Sequence, residues 1–197
     1  MPVFCPTNLE LTNQCGDDFP LAGLGNFYLA PVRQIDQSTL FFDASKHEIT
    51  GALSLQSAGT WAKIEGRVST KDLATENAKD GGGNVFTITV NAVVPNIDSE
   101  KSAKLQKFGN QKLVIIAELF ELDATSGNRK AIVIGLDKIM GIDAGAMFNF
   151  NDTVEAEQGG LNGYNCVITA VQGESPRFYN GSILVEDGSA GTTVTLG

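Results

Sequence analysis

The sequence predicts a mainly β protein, a β-sandwich or barrel with one flanking α-helix, long loops and extended terminal arms. Three observations predict it. Residues 85–94 alternate apolar and polar side chains with many β-branched residues, which is typical of a half-buried strand. Residues 112–122 and 131–140 are denser in apolar residues, and the polar turn cluster 123–128 between them indicates a hairpin. Only one segment, 98–108, has a helical pattern.

The strands follow in order along the chain. In residues 85–94, Phe86, Ile88 and Val90 share one face, while Thr87 and Thr89 occupy the other. Residues 164–171 alternate in the same way, and Ile49, Leu53 and Leu55 share one face of 49–55. Shorter strands are expected at 27–30, 40–42, 61–68, 182–185 and 192–196.

The single predicted helix has recognisable signals at both ends. Asp98 or Ser99 can cap the free amides of the first turn, and Gly109 supplies the left-handed residue that often ends a helix. Ile97, Leu105 and Phe108 can share one apolar face, with lysines outside. A single helix in a chain of strands indicates a sandwich or barrel with one helix packed against it.

We expect one domain over residues 1–197, because no segment has the composition of a linker. Residues 1–26 carry three prolines and several glycines, which predicts an extended N-terminal arm, and 181–197 is expected to form a C-terminal arm. Residues 74–83 and 141–160 are predicted to be long loops, the second carrying Phe148 and Phe150.

Composition restricts the class of protein. The chain has 14 basic and 23 acidic residues, a formal net charge of −9, which disfavours binding to phosphate backbones. No apolar run reaches the roughly 20 residues of a membrane-spanning helix, and no secretory signal is visible at the start. Three cysteines without a CxxC spacing argue against a zinc site or a disulfide framework, although pairing of Cys5 with Cys15 stays open.

Catalytic, cofactor and metal motifs are not recognisable in the sequence. His47 is the only histidine, and its charged neighbours indicate a solvated turn residue. The glycines at 23–25 and 81–83 lack the rest of a nucleotide-binding motif. Trp61 is interpreted as a core residue at the start of a strand. We therefore expect a protein that is not an enzyme, with no cofactor and no metal. Polar, glycine-broken arms suggest pairing with neighbouring copies.

Several local features, spread over residues 59–180, resemble phage tail tube proteins, particularly those of Bacteroidota phages and prophages. A strand begins at Trp61, and a strand that ends at Pro95 leads into the lysine-bearing helix 98–108. The hairpin 112–140 follows, and then a strand from Asn162 to Ala170 precedes the segment Glu174–Tyr179. No resemblance extends to residues 1–58 or 181–197.

The resemblance implies a structural virion protein of the phage tail, made in the host cytoplasm, whose hexameric rings stack into a tube. Its partners would be further copies of itself and other tail proteins, without a membrane, while DNA passes through an acidic channel without specific binding. Glu118 and Glu121, on a long predicted strand, are the candidate channel-lining acids. Contacts between rings would fall to the arms and to loops 71–84 and 141–160, with candidate residues Lys71, Asp72, Glu76, Lys79, Asp80, Phe148 and Phe150.

Two other classes of function stay open. A capsid decoration protein or a head–tail completion protein would share the β-rich, acidic and non-catalytic character of the chain. A β-sandwich binding module, such as a carbohydrate-binding domain, would be a monomer with an exposed aromatic strip. Trp61, Tyr28, Tyr164 and Tyr179 are the residues that could form such a strip.

Overall fold

The computed structural model describes residues 23–43, 45–64, 72–80, 83–123, 126–154, 162–186 and 191–197. Within them the chain is a β-sandwich with a single α-helix. The strands in chain order are β1 (Leu24–Pro31), β2 (Phe41–Phe42), β3 (Glu48–Thr50), β4 (Ala62–Ile64), β5 (Asp72–Asp80), β6 (Gly83–Pro95), β7 (Leu113–Leu122), β8 (Arg129–Ile134), β9 (Met147–Val154), β10 (Asn162–Gln172), β11 (Arg177–Val185) and β12 (Thr192–Leu196), and helix α1 is Ser99–Gly109.

The strands form two sheets of unequal width. The larger sheet has the order β2-β3-β11-β8-β7-β1-β4, and β12 pairs with the second half of β11. The smaller sheet has the order β5-β6-β10-β9. Neighbouring strands in both sheets are antiparallel, except β3 and β11, which are parallel. The predicted central hairpin is confirmed as β7 and β8, which pair directly.

The larger sheet is apolar on both faces. One face packs against the smaller sheet. Phe27 and Ile115 of this face share a core cluster with Ile168 of the smaller sheet, and all three have almost no exposed surface. The opposite face packs against the chain between β1 and β4 and against β11 and β12, with Trp61 fully buried there. This double burial explains the unbroken apolar run Leu113–Ala117 at the start of β7, because neither face meets water.

Helix α1 confirms the prediction of a single flanking helix and its N-terminal cap. The Asp98 carboxylate accepts a hydrogen bond from the Lys101 backbone N–H at 2.7 Å. That bond and the neighbouring ammonium lower the pKa of Asp98. The C-terminal prediction is wrong: Gly109 is the last residue of the helix, and neither it nor the capping residue Asn110 is left-handed. Leu105 is buried, and the ring of Phe108 packs edge-on against Phe148.

Two segments predicted to be loops are strands. Residues 72–80 form β5, which pairs along its whole length with β6, and residues 147–154 form β9 beside β10. Both are edge strands, and most of their solvent-facing side chains are polar or small. Pairing with β6 and β10, rather than a local alternation of apolar residues, therefore makes these segments strands. Two predicted strands are shorter than expected, because β3 ends at Thr50 and β8 ends at Ile134. The rest of the predicted strand 61–68, beyond Ile64 of β4, lies outside the described residues.

The terminal arms are shorter than predicted where the structure describes them. Leu24–Asn26 belong to β1, so the predicted boundary at residue 26 is wrong, and residues 1–22 lie outside the described part, as do Cys5 and Cys15. Residues 181–185 complete β11, and β12 pairs with them in the same chain. Leu196 is buried in the second core cluster, which anchors this segment to its own domain.

Candidate functional site

The smaller sheet has one face in the core and one face in solvent. Along β10, Cys166, Ile168 and Ala170 point into the core and are almost fully buried. Because side chains alternate along a strand, Val167 and Thr169 point away from the core. The register of β10 with β6 and β9, and of β6 with β5, carries this alternation across all four strands.

We call the solvent-facing side of this sheet the outward face. No Lys or Arg lies on it within the described residues, and its charged side chains are the carboxylates Asp72 and Glu76. Most other members are threonine, asparagine, valine or alanine. The described positions are Asp72, Ala74, Glu76, Ala78, Val85, Thr87, Thr89, Asn91, Val93, Met147, Asn149, Asn151, Thr153, Asn165, Val167, Thr169 and Val171.

Hydrogen bonds between neighbouring strands hold several polar groups of the outward face in place. The Asn91 side-chain amide donates to the Asp72 carboxylate at 2.7 Å. The Asn165 side-chain amide donates to the Thr153 hydroxyl at 2.9 Å. A surface of amides, hydroxyls and carboxylates without a cation cannot neutralise phosphates, so it does not gain the counterion-release energy that holds proteins on nucleic acid.

The edges of the smaller sheet are the second feature of the site. Within the described residues, β5 and β9 each pair with a strand on one side only. Natural edge strands are commonly protected by proline, lysine, a bulge or short length. Strand β9 has eight residues with no proline and no basic residue, and the nine residues of β5 contain only Lys79 near the end. The start of β9 is flanked on its outer side, because Ala146 pairs with Leu113 and a Cβ at Gly109, the last residue of α1, would lie 3.7 Å from the Phe148 carbonyl oxygen. The edge available for pairing with another strand is therefore β5 and the later part of β9.

The two edges are complementary in direction. Neighbours are antiparallel throughout the order β5-β6-β10-β9, so β5 and β9 run in opposite directions. If identical copies are placed side by side in the same orientation, β9 of one copy meets β5 of the next in an antiparallel arrangement. Because the sheet has four strands that alternate in direction, copies in the same orientation can extend it as one continuous antiparallel sheet.

The structure corrects the choice of Glu118 as a channel-lining acid. Its side chain is buried on the face of the larger sheet that points away from the smaller one. Its carboxylate accepts hydrogen bonds from the Tyr28 hydroxyl at 2.5 Å and the Asn26 amide at 2.9 Å. The Arg129 guanidinium lies 3.5 Å away. Burial and the bond to Glu118 raise the pKa of Tyr28. Sequence patterning could not distinguish this buried carboxylate from a solvated one.

The other acid assigned to the channel wall, Glu121, is partly exposed on the larger sheet and forms an ion pair with Lys130. It is not a member of the outward face. The acids that the outward face does carry, Asp72 and Glu76, were assigned from the sequence to contacts between rings. The signal that could have found them is the alternation of 72–80 with acids at every fourth residue, Asp72, Glu76 and Asp80.

The remaining residues predicted for ring contacts do not lie together. Lys71 is outside the described residues, and Asp80 ends β5 opposite Gly83. Lys79 belongs to the exposed end of β5, at positions that alternate with the outward face. Phe148 and Phe150 are not loop residues: Phe148 is buried between the sheets, and Phe150 packs against it and against Tyr164.

Exposed aromatic side chains do not form the strip that a carbohydrate-binding module would need from the predicted residues. Trp61, Tyr28, Tyr164 and Tyr179 are all 2% exposed or less. The Trp61 indole N–H donates to the Leu53 carbonyl at 3.0 Å, which confirms its interpretation as a core residue. All four rings are therefore packed in the interior and unavailable for stacking on a sugar.

The histidine predicted to be a solvated turn residue is exposed, and its ring lies beside Ser175. The His47 Nε2 atom lies 2.9 Å from the Ser175 carbonyl oxygen and 3.0 Å from the Ser175 hydroxyl. The nearby Glu174 carboxylate binds both the Arg177 guanidinium and the Lys138 N–H, rather than orienting the imidazole. Cys166 is buried, which raises the pKa of its thiol to about 12.

Neither a ligand motif nor a relative assigns a function. No cluster of metal-binding side chains occurs among the described residues. In the same part of the chain, no helix is both long and apolar enough to cross a membrane. No family model, no curated protein and no solved structure matches the chain.

Proposed function

We propose that the chain is a self-assembling structural subunit of a phage tail tube. Copies stand side by side in hexameric rings, the rings stack, and the outward face lines a channel through which DNA passes. In this proposal the partners are further copies of the chain and other tail proteins, and the site of action is the tail of the virion. The number six and the tail itself come from the sequence resemblance.

The observation that carries the proposal is the smaller sheet, which combines two edge strands of opposite direction, β5 and the later part of β9, with an outward face that lacks basic residues among its described positions. The edges supply the means of joining identical copies, because β9 of one copy can add to β5 of the next. The face supplies a surface that repels a polyanion. With six copies, 6 × −9 gives −54 formal charges per ring.

The stagger of the two edges fits closure into a barrel. The centre of β5, at Glu76, lies opposite Thr87, which pairs with Val171 of β10. The outward-facing residue at the centre of β9, Asn151, lies opposite Asn165, six residues away along β10. Pairing of Asn151 in one copy with Glu76 in the next then shifts each copy by about 20 Å over about 19 Å of sheet width. The implied strand tilt is about 46°, close to the tilt of closed barrels.

A barrel of six copies at this tilt encloses a channel wide enough for a DNA duplex. Six copies contribute 24 strands, which at this tilt give a barrel about 50 Å across between opposite backbones. Inward-pointing side chains occupy about 5 Å on each wall, which leaves a channel about 40 Å wide. A DNA duplex passes through such an opening without contacting the wall on all sides.

Disulfide trapping tests the proposed edge contact. In a chain with Cys5→Ser and Cys15→Ser, the pair Glu76→Cys and Asn151→Cys places thiols on the outward face of β5 and β9. Within one chain these positions are separated by three strand spacings, about 14 Å, so they form a disulfide only between copies. We expect oxidation to give a ladder of covalent oligomers that ends at six. Cys166 stays reduced because it is buried.

The matched control moves one thiol to the other side of the strand. Asn77→Cys with Asn151→Cys has the same number of cysteines, but residue 77 points away from the outward face, and we expect no ladder. Equal crosslinking in both variants, or none in either, contradicts edge pairing. A ladder that ends at three favours a decoration protein, and a single ring that does not stack favours a head–tail completion protein.

A further inference from the structure

Exposed apolar side chains are concentrated at the two ends of the smaller sheet. The first end is where β10 finishes at Gln172, and the second end is where β10 begins at Asn162. Of the ten large apolar side chains that are exposed among the described residues, six lie at these ends: Ile139, Met140, Met147 and Val171 at the first, Ile97 and Val154 at the second. Exposed apolar groups that cluster in this way mark contact surfaces.

At the first end the apolar groups form one patch. Met147 pairs with Thr169, so Val171 is its diagonal neighbour on the outward face. Ile139 packs over Gly173, where a Cβ atom would meet the Cβ of Ile139 at 3.0 Å. Ile139 itself is 70% exposed. The β5–β6 hairpin also continues beyond the last paired residue of β10 at this end, past the pair of Gln172 with Phe86.

At the second end the apolar groups surround Asn162. Val154 pairs with Asn162 and is 72% exposed. The Asn96 N–H donates to the Asn162 carbonyl at 2.9 Å, which places the next residue, Ile97, beside the same strand end. The two ends lie at opposite termini of β10, so one molecule presents them in opposite directions.

Each patch has beside it one exposed charge without an ion pair among the described residues, and the two charges have opposite signs. Lys138 is exposed next to Ile139 at the first end, and Asp152 is exposed two residues before Val154 at the second. Neither forms an ion pair within the described residues. A cation with an apolar patch at one end therefore matches an anion with an apolar patch at the other.

We propose that the first end binds the second end of another copy of this chain, so that rings stack head to tail through the Ile139 patch and the Val154 patch. This inference rests on the proposed tube function and replaces the earlier assignment of Phe148 and Phe150 to ring contacts. The two surfaces differ, so the contact is heterologous, and repetition along one axis gives an open filament rather than a closed pair.

The test uses one charged substitution at each end, examined by negative-stain electron microscopy and sedimentation. We expect Ile139→Glu and Val154→Glu each to abolish filaments while leaving single rings. Mixing the two variants restores one contact, between the intact first end of Val154→Glu and the intact second end of Ile139→Glu. The other contact would bring two glutamates together, so pairs of rings appear without filaments. Leu184→Glu, an exposed apolar site away from both ends, keeps its filaments.

The outcomes separate this contact from the tube function. Filaments in either single variant, or single rings alone in the mixture, overturn the end-to-end contact while the ring stays intact. A wild-type chain without ordered assembly at any concentration overturns both proposals. Lys138→Glu and Asp152→Lys provide a second test that preserves the apolar patches. Each alone should shorten filaments, and both together in one chain should restore their length; failure to restore overturns the pairing of these charges.

Discussion

Two glutamates on β-strands, Glu118 and Glu76, have opposite environments in this chain. Glu118 is buried and accepts hydrogen bonds from Tyr28 and Asn26, with Arg129 nearby. Glu76 is exposed on the outward face of β5. The first therefore stabilises the domain, and the second is a candidate for contact with whatever passes the outward face.

Replacement of Glu118 should destabilise the folded domain. Glu118→Ala removes the acceptor of the Tyr28 hydroxyl and leaves the Asn26 amide and the Arg129 guanidinium without their carboxylate. We expect a loss of about 2 kcal/mol in the free energy of unfolding, because the buried Tyr28 hydroxyl is left without its acceptor. Urea denaturation measures it. Glu121→Ala is the control, with an expected loss under about 1 kcal/mol for a partly exposed ion pair. Equal losses would contradict a structural role for Glu118.

Charge reversal on the outward face should convert a repelling channel into a binding one. Glu76→Lys places six ammonium groups in each proposed ring, and we expect assembled tubes to retain double-stranded DNA at low salt and release it as salt rises. Co-sedimentation measures retention. Glu121→Lys makes the same change in net charge on the larger sheet, away from the outward face, and should not retain DNA. Equal retention by both variants would mean that net charge alone, and not the position of the charge, determines DNA binding.

Which carboxylate is buried could not be predicted from residue type. Glu118 follows the apolar run of β7 directly. Its carboxylate is bound by Tyr28 and Asn26, which lie some 90 positions earlier in the sequence. By contrast, the burial of Trp61 was predicted correctly, because a large ring at the start of an apolar strand has one favourable location.

At the level of the elements, helix α1 shows how a local signal determines a boundary. Asp98→Ala should lower the thermal midpoint, because it removes the acceptor of the Lys101 N–H. The pKa of Asp98 is lowered in the folded state, so its contribution is fully present above its ordinary pKa of about 4 and is lost as the pH falls through the depressed value. Thermal melts between pH 7 and pH 2 measure this.

The Asp98→Ala variant should therefore differ from wild type at pH 7 and converge with it at the acid end of the range. Glu100→Ala is the control, since Glu100 lies in the same helical turn and pairs with Lys104 on the surface. A difference between Asp98→Ala and wild type that persists unchanged at the acid end would contradict the role of the charged cap.

Local patterns predicted the elements that bury apolar side chains and missed those that do not. Strands β6, β7 and β10 and helix α1 were predicted because their apolar positions repeat with the strand or helix period. Strands β5 and β9 carry asparagine, threonine and acidic residues, and pairing with β6 and β10 makes them strands. Both edges of the candidate site and about half of its outward face belong to these two strands, so they could be recognised only in the structure.

At the level of the whole molecule, the two sheets have different roles. The larger sheet is buried on both faces and provides the rigid part of the domain. The smaller sheet has one solvated face, two edge strands that pair on one side only within the described residues, and two apolar ends, so the surfaces available for contacts with other copies belong mainly to it. The parallel pairing of β3 with β11 and the return of β12 onto β11 were not predictable, because no local pattern encodes contacts over such separations.

The central claim is that identical copies assemble through the smaller sheet into hollow rings that stack. The most direct measurement is negative-stain electron microscopy of the purified chain over a range of concentrations from dilute to concentrated. If the copies assemble in this way, we expect six-fold rings or hollow filaments with a channel about 40 Å wide, as the barrel geometry requires. Discrete monomers or trimers at every concentration would contradict it.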